Sequence, residues 1–353
     1  MSGEKLRKWI DTVPRGCALL LNTAFAGGLL LSANHGHAEI PLYGPSGISP
    51  TAVKQGVLGS CYFHASVAAV AKANPSAIRS AISGTHTPGY RVHFKTGPEE
   101  LVYAQDLEYS HAHNYDRSEG EWVAVLMRGY AQRELRGSLI DSVSRSTTIP
   151  TLIKPPTLAI LRQSGPLLLA YDRAVRSVVS QDGQMDKGAF RSQLSRELNS
   201  LGVPAAQSAM LAGLIEHAGV YESLTRTVQA NGEVFGAYRG MGQGGIAVSV
   251  IASLMGTARS GQSSDTALLV EQLKHLHRSG EAMVAGTRSS NPEGADSANW
   301  FVPNHAYTVL DFNEGRSTVE LRNPWATKPG PDGSFNLSLS TFEQTYLTFS
   351  YSQ

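Results

Sequence analysis

The chain has 353 residues, of which 41% are hydrophobic, enough to bury one large core or two of moderate size. Its 30 basic and 29 acidic residues give a formal net charge of +1, without a basic block or an acidic tail. This balance gives no reason to expect nucleic acid or an anionic membrane surface as a partner. Function must therefore reside in specific side chains.

The first 38 residues differ from the rest. Basic residues from Lys5 to Arg15 precede an apolar run from Gly16 to Leu31, and small residues around Ala38 offer a cleavage position. This order is typical of a secretory signal peptide, so we expect an exported protein, periplasmic or secreted. The alternatives are a buried helix or an uncleaved anchor, in a cytoplasmic or membrane-anchored protein. The apolar run is short for a span, and we expect no integral span in the mature chain.

Two cysteines are present, Cys17 and Cys61. Cleavage after Ala38 would leave Cys61 as the one thiol of the mature chain, which excludes an internal disulfide and a zinc site built on thiolates. Such a thiol is either an inert buried residue or a reactive one. The residues around it must decide.

Residues 39–145 begin with a lead-in rich in Pro, Gly and Ser and continue as a mainly helical segment. Glu121–Leu135 has one apolar face and predicts a helix, whose end is predicted at Gly137. The other elements expected here are a helical stretch over 61–82, bounded by Asn74-Pro75 and then by Ser83-Gly84, and strands over Tyr90–Lys95 and Leu101–Tyr103.

The sequence pattern of residues 146–230 differs from that of the preceding segment and predicts a helical insertion. Pro155 and Pro156 indicate a loop near its start. We favour a decoration packed on the core over a lid or autoinhibitory segment, for which Pro155-Pro156 and Asp182-Gly183 would be accessible cleavage sites. The helices expected in this insertion are Leu158–Leu161, Leu167–Val179, Phe190–Leu201 and Ala205–Val228.

Residues 231–353 predict a β-rich C-terminal part. A Gly-rich stretch comes first, and Thr266–Ser279 then has the apolar spacing of an amphipathic helix. With the helical N-terminal half, this makes the expected fold class α+β. The strands expected here are Ala282–Gly286, Tyr307–Phe312, Val319–Arg322, Ser334–Ser338 and Thr348–Tyr351.

The strongest functional signal is a set of side chains suited to thiol chemistry. Cys61 opens a predicted helix, whose N-terminal partial charge lowers a thiol pKa. His305 at the start of one strand and Asn323 at the end of the next suit a base and its orienting group. Gln55 can donate an amide N–H to an oxyanion, and Trp325 can shield the imidazole from water.

Each of these residues alone has an ordinary structural explanation. A Cys in an Ala-rich helix is most often a small buried residue, and an Asn-Pro pair is most often a turn. The functional interpretation depends on the order and the context of all the groups together.

Several segments resemble the core of the calpain family of cysteine proteases, in the papain-like superfamily. The resemblance covers about residues 50–145 and 231–353. The matching segments are 55–62 (Q-G-V-L-G-S-C-Y against Q-G-x-L-G-D-C-W), 121–138 (a Trp-led helix followed by G-S), 304–309 (N-H-A-Y-T-V against G-H-A-Y-x-V), 321–325 (L-R-N-P-W in both) and 332–342 (D-G-x-F…F in both).

This resemblance implies a two-lobed papain-like fold carrying a cysteine-type endopeptidase. Its implied site has Cys61 as nucleophile, His305 as general base and acid, Asn323 as orienter, Gln55 as oxyanion donor and Trp325 as shield. The substrate would be a protein or peptide, hydrolysed through a thioester acyl-enzyme without a cofactor, by a monomer. Two alternatives stay open: a same-fold transferase or amidase acting on a non-protein amide, and an inactive binding module.

The chain also departs from the family pattern. Ser60 and Tyr62 replace the Asp and Trp beside the nucleophile, and Asn304 and Ala326 replace two glycines. The positions that match the family's calcium ligands carry no carboxylate, so we expect no metal site and activity independent of calcium. These positions are Ala52, Met127 and Pro329.

Two other groups of histidines are expected to be structural. His111, His113 and Asp116 lie in a polar, loop-like segment, and all three are expected at the surface rather than at a metal. His275 and His277 lie two residues apart on a predicted helix, so they point in different directions and are unsuited to sharing a metal.

Overall fold

The part of the chain that the computed structural model describes excludes the signal peptide predicted over residues 1–38 and the dipeptide Asp182-Gly183. No helix of the described part is long and apolar enough to cross a membrane. The described residues are 40–145, 147, 154–163, 165–178, 186–217, 228–229, 232–233, 237–290 and 301–353.

The structure combines helices with antiparallel strands, so the expected α+β class is confirmed at this level. The helices are α1 (Cys61–Ala73), α2 (Pro75–Ala81), α3 (Ala104–Ala112), α4 (Trp122–Arg145), α5 (Lys154–Gln163), α6 (Gly165–Val178), α7 (Lys187–Ser200), α8 (Ala205–His217), α9 (Ala237–Gly242), α10 (Ala247–Met255), α11 (Thr266–Ser279) and α12 (Leu339–Thr345). The strands are β1 (Ile82–Thr85), β2 (Gly89–Val92), β3 (Glu100–Val102), β4 (Val228–Gln229), β5 (Gly232–Glu233), β6 (Ala258–Gln262), β7 (Met283–Thr287), β8 (Ala306–Asn313), β9 (Thr318–Arg322), β10 (Ser334–Ser338) and β11 (Tyr346–Ser352).

The chain divides into two compact units. One, the helical unit, includes Leu135–Thr227; the other, the sheet unit, consists of Ala38–Glu134 and Val228–Gln353. The sequence placed the helical insertion at 146–230, with boundaries that differ from these by eleven residues or fewer. The sheet unit thus unites segments that lie on either side of the helical one in the sequence.

The sheet unit is built on a six-stranded sheet with the strand order β10-β9-β8-β7-β11-β6, in which every neighbouring pair is antiparallel. A smaller antiparallel sheet has the order β1-β2-β3. Strands β4 and β5 pair with each other. The long strand β8, which begins directly after His305, lies inside the large sheet.

Helices cover both faces of this large sheet. Tyr307 and Val309 of β8 pack in one hydrophobic cluster with Leu273 of α11. Thr308 lies between them and donates its hydroxyl to the carbonyl oxygen of Ala65 in α1, at 2.9 Å. Because successive side chains of a strand point to opposite faces, α11 and α1 lie on opposite sides of β8.

Helix α11 occupies the residues that the sequence predicted, because its ends and its buried face are all encoded locally. The Asp265 side chain accepts a hydrogen bond from the Leu268 amide, and Gly280 ends the helix in the left-handed conformation. Leu269 and Leu273 form part of its buried stripe.

In the helical unit, apolar side chains from successive helices form the core. Leu139 of α4, Leu168 of α6 and Phe190 of α7 are fully buried. The Phe190 ring meets the Tyr171 ring edge to face, with centroids 5.5 Å apart. Each of the four helices predicted for this region overlaps one of α5 to α8; α5 is longer than predicted, and α6 and α7 begin two and three residues earlier.

The prediction that Gly137 ends its helix is wrong. Helix α4 continues to Arg145, because Leu135, Leu139 and Val143 recur every four residues and keep one face buried. A single interior glycine costs less than this packing contributes.

Two further predictions for the helical segment are wrong. Pro155 and Pro156 lie in the first turn of α5 rather than in a loop, since backbone N–H groups there need no helical partner. That placement also removes them as loop cleavage sites. The helix predicted to reach Val228 ends at His217 in the described part, and Val228 lies in β4.

The helical stretch predicted over 61–82 is divided at Asn74-Pro75, where the sequence indicated a boundary. The Asn74 side chain accepts a hydrogen bond from the Ala77 amide, so it caps a new helix that starts at Pro75. Ile82 then begins β1.

Replacing Gly137 by Ala should raise the free energy of unfolding by up to about 1 kcal/mol, because the position is an exposed helix interior where an added Cβ meets nothing. Urea denaturation would measure the change. The matched control is Gly129→Ala in the same helix, where the Cβ would lie 2.9 Å from the Val92 side chain and should destabilise. Equal effects of the two variants would contradict the packing argument.

Candidate active site

Cys61 is the first residue of α1 and the free thiol of the described chain. Burial raises the pKa of the Cys61 thiol, while the backbone N–H groups of Ala306, Tyr62 and Cys61 itself oppose that effect. The contribution of Ala306 places the sulfur beside the residue that follows His305. The sequence separation of about 240 residues is therefore closed by the packing of α1 against β8.

His305 is held by a buried hydrogen bond. Its Nε2 lies 3.0 Å from the Oδ1 of Asn323, and both residues are at most 5% exposed. Because an amide oxygen can only accept, Nε2 carries the proton, and Nδ1 is left as the nitrogen that can accept one. The Trp325 amide also donates to the same Oδ1, at 3.0 Å, which fixes the orientation of the Asn323 side chain.

Aromatic rings enclose this imidazole. The Trp325 ring lies with its centroid 4.6 Å from that of His305, and the Tyr307 ring contacts it edge to face at 4.9 Å. Burial lowers the pKa of His305 to about 4, and the hydrogen bond to Asn323 partly opposes the change. The imidazole is therefore neutral at pH 7 in the free protein.

Gln55 lies in the same unit and is almost completely buried. Its Nε2 donates to the carbonyl oxygen of Leu58 at 2.7 Å, which identifies the amide nitrogen, since the opposite orientation would bring two oxygens together. One N–H of Gln55 is thus engaged within its own loop. The role predicted for Gln55 needs the second N–H.

Backbone hydrogen bonds join the Gln55 loop to the segment that carries Asn323. The backbone N–H of Gln55 donates to the carbonyl oxygen of Pro324 at 2.8 Å. The buried Arg322 guanidinium donates to the Val53 carbonyl at 2.8 Å. The loop that contains Gln55 and the segment that carries Asn323 are therefore packed against each other.

The two residues that replace family glycines adopt left-handed backbone conformations. Asn304 has φ 51° and Ala326 has φ 57°, on either side of the imidazole–amide pair. Asn tolerates this region, whereas Ala is strained there by roughly 1 kcal/mol or more. Both positions thus take a backbone conformation that glycine adopts at a lower cost.

The positions compared with calcium ligands carry apolar side chains. Ala52 and Met127 are fully buried, and Pro329 lies in the segment after β9. Over the described residues, no group of three or more His, Cys, Asp or Glu side chains could hold a metal ion.

The expectation that Asp116 lies at the surface is wrong. Its carboxylate is buried and lies 3.2 Å from Nε2 of the fully buried His64. His113 is exposed as expected, and His111 is partly exposed. His277 contacts Asp311, whereas His275 contacts Glu281, so these two histidines do face different partners.

Sequence reasoning missed His64. The available signal was its spacing from Ser60, because residues four apart lie on one face of a helix. Its other partner, Asp116, lies 52 residues away and is brought to it only by the fold.

Comparison with known proteins gives little further information. No protein-family model matches the chain, and no curated protein matches it. The chain aligns with the crystal structure of PepW from Lactobacillus rhamnosis HN001 (DR20), determined as a selenomethionine derivative. The alignment covers 100% of this chain and 92% of the PepW chain. The sequence identity is 10% and the TM-score is 0.31. Values this low assign neither a family nor a fold.

The His305 imidazole should titrate with a pKa of about 4, which NMR of its ring protons would measure. Asn323→Ala should lower that pKa further, because the hydrogen bond that this substitution removes stabilises the charged imidazolium. Since unfolded His titrates at about 6.5, His305 contributes stability that is present above pH 6.5 and lost as pH falls towards 4. A measured pKa near 6.5 would contradict the buried, neutral imidazole.

Proposed function

We propose that this protein is a papain-like cysteine endopeptidase whose core resembles that of the calpains. The observation that carries the proposal is the buried His305–Asn323 pair adjoining the Cys61 sulfur at the start of α1. A helix N-terminus, an oriented imidazole and a thiol are the parts that nucleophilic thiol catalysis needs. The proposal includes the two-lobed fold and export through residues 1–38.

The first half-reaction forms a thioester. The Cys61 sulfur attacks the carbonyl carbon of the scissile peptide bond while Nδ1 of His305 accepts the thiol proton. The resulting oxyanion would be stabilised by the Cys61 backbone N–H and the second N–H of Gln55. The C–N bond then breaks, and the imidazolium returns its proton to the departing amine.

The second half-reaction hydrolyses the thioester. His305 accepts a proton from water, whose oxygen attacks the thioester carbonyl. The C–S bond breaks, the carboxyl product leaves, and the proton returns to the Cys61 thiol. The Asn323 amide keeps the imidazole in one tautomer and orientation through both halves, with the Trp325 ring shielding it.

Cys61→Ala should lower cleavage of an unfolded protein such as casein by about a thousandfold or more, because the attacking atom is lost. Gel electrophoresis with product mass spectrometry would measure cleavage. Cys17→Ala is the matched control and should retain activity, since that thiol has no part in the proposed site.

The same experiment separates the two alternatives. Cys61 that is alkylated rapidly by iodoacetamide, without cleavage of any protein, would favour a transferase or amidase acting on another amide. A Cys61 that reacts no faster than an ordinary buried thiol would favour the inactive binding module and contradict the enzyme.

Chelation should leave turnover within about twofold of its starting value, because the positions compared with calcium ligands offer no carboxylate. Casein cleavage measured with and without excess EGTA tests this expectation. Added calcium serves as the control for non-specific effects of the chelator. A tenfold loss that calcium restores would show that calcium is required.

A further inference from the structure

A buried chain of hydrogen bonds lies behind the nucleophile and is not used by the proposed reaction. Its centre is His64, a fully buried residue one helical turn after Cys61. His64 lies between two polar groups, Ser60 on one side and Asp116 on the other. Ionisable side chains are rarely buried in this way unless they are fully paired.

The direction of the hydrogen bond between His64 and Asp116 follows from the groups present. The Asp116 carboxylate can only accept, so His64 Nε2–H donates to its Oδ1 over 3.2 Å. The Ser60 carbonyl already accepts the amides of Phe63 and His64. His64 Nδ1 lies 3.1 Å from that carbonyl oxygen and 3.2 Å from the Ser60 hydroxyl oxygen, so it can bond Ser60 as a donor or as an acceptor. The Ser60 hydroxyl also lies 3.4 Å from the Leu58 carbonyl oxygen, which can accept its proton.

The chain continues beyond Asp116. The Ser118 hydroxyl donates to the same Asp116 oxygen at 2.6 Å, and the Lys54 amide donates to the Ser118 oxygen at 2.9 Å. A continuous path thus runs from Ser60, the neighbour of Cys61, to Lys54, the neighbour of Gln55. It links the two ends of a single loop, residues 54–60.

The backbone around this path adds to the constraint. The Gly56 and Val57 amides donate to the carbonyl oxygens of Tyr115 and Asn114. A Cβ at Gly56 would lie 1.9 Å from the Asn114 oxygen, so only glycine allows this approach. These backbone hydrogen bonds hold the Gly56–Val57 part of the loop, and the side-chain hydrogen bonds hold its two ends relative to each other.

We propose that His64 is a positioning residue that holds Cys61 and Gln55 at a fixed separation by joining Ser60 to Asp116. The inference rests on the proposed function, in which Cys61 attacks and Gln55 receives the oxyanion. Small displacements of such groups have large effects on acyl transfer. Attack on a saturated carbon forms no oxyanion, so alkylation of Cys61 depends much less on this separation.

The test compares two reactions of the same thiol in the full-length protein. Acylation by p-nitrophenyl acetate forms the C–S bond, expels nitrophenolate and passes the thiol proton to His305, through an oxyanion. Alkylation by iodoacetamide, followed at the Cys61 peptide by mass spectrometry, forms a C–S bond without one. Subtracting the Cys61→Ala signal removes any contribution of Cys17.

His64→Gln should slow acylation of Cys61 by about tenfold or more, while alkylation changes by less than about threefold. Gln has a carboxamide near the position of Nε2 but no polar atom at the position of Nδ1, so the contact with Ser60 is lost. The matched control is His86→Gln, which breaks another histidine–carboxylate pair in this unit. His86 Nδ1 lies 3.1 Å from Oε2 of Glu121. This variant should leave both rates within about twofold of the wild-type rates.

Three outcomes would overturn the inference: acylation of His64→Gln at the wild-type rate, equal slowing of both reactions, or equal effects of the two His variants. If His64→Gln does not fold, Ser118→Ala removes the link between Asp116 and Lys54 by deleting a hydroxyl and should slow acylation selectively. Failure of the proposed function would give a different result. The wild-type protein would then not cleave a protein substrate, whatever the rates of acylation and alkylation.

Discussion

Helix α1 is buried from Tyr62 to Ala71, and its small side chains let its backbone approach strand β8 closely. The contact is close enough for the Thr308 hydroxyl to bond the Ala65 carbonyl at 2.9 Å. Inserting larger side chains into such packing generally costs about 1–3 kcal/mol, which explains the run of alanines. The same contact brings the first residue of α1 to the first residue of β8, and thereby sets Cys61 beside His305.

This degree of burial also decides the resting state of the site. Removing an ion from water costs several kcal/mol, whereas two charges at 4 Å attract by about 4 kcal/mol in a partly polar interior. Burial raises the thiol pKa of Cys61 and lowers that of His305 to about 4, so both effects favour a neutral pair. The proposed chemistry therefore transfers the proton during attack and does not begin from a preformed thiolate.

The loop before α1 shows how a site can be made rigid without bulky side chains. Gly56 permits backbone contact with the 114–118 segment, and His64 links the two ends of the loop through Asp116. The backbone N–H of Gln55 donates to the carbonyl oxygen of Pro324, the residue that follows Asn323. The residues proposed as nucleophile, oxyanion donor and orienter are therefore parts of one hydrogen-bonded framework within the sheet unit.

The sequence by itself determined the features whose causes are local. Asp265 and Gly280 define the ends of α11, and alternating residues define β10. The residue types around Cys61, His305 and Asn323 also suggested the chemistry that is proposed for them. Local signals misled where packing outweighed them: the buried face of α4 carries the helix through Gly137, and two prolines fit the first turn of α5. Tertiary structure alone decided that Asp116 is buried against His64, because partners 52 residues apart leave no periodic trace in a sequence.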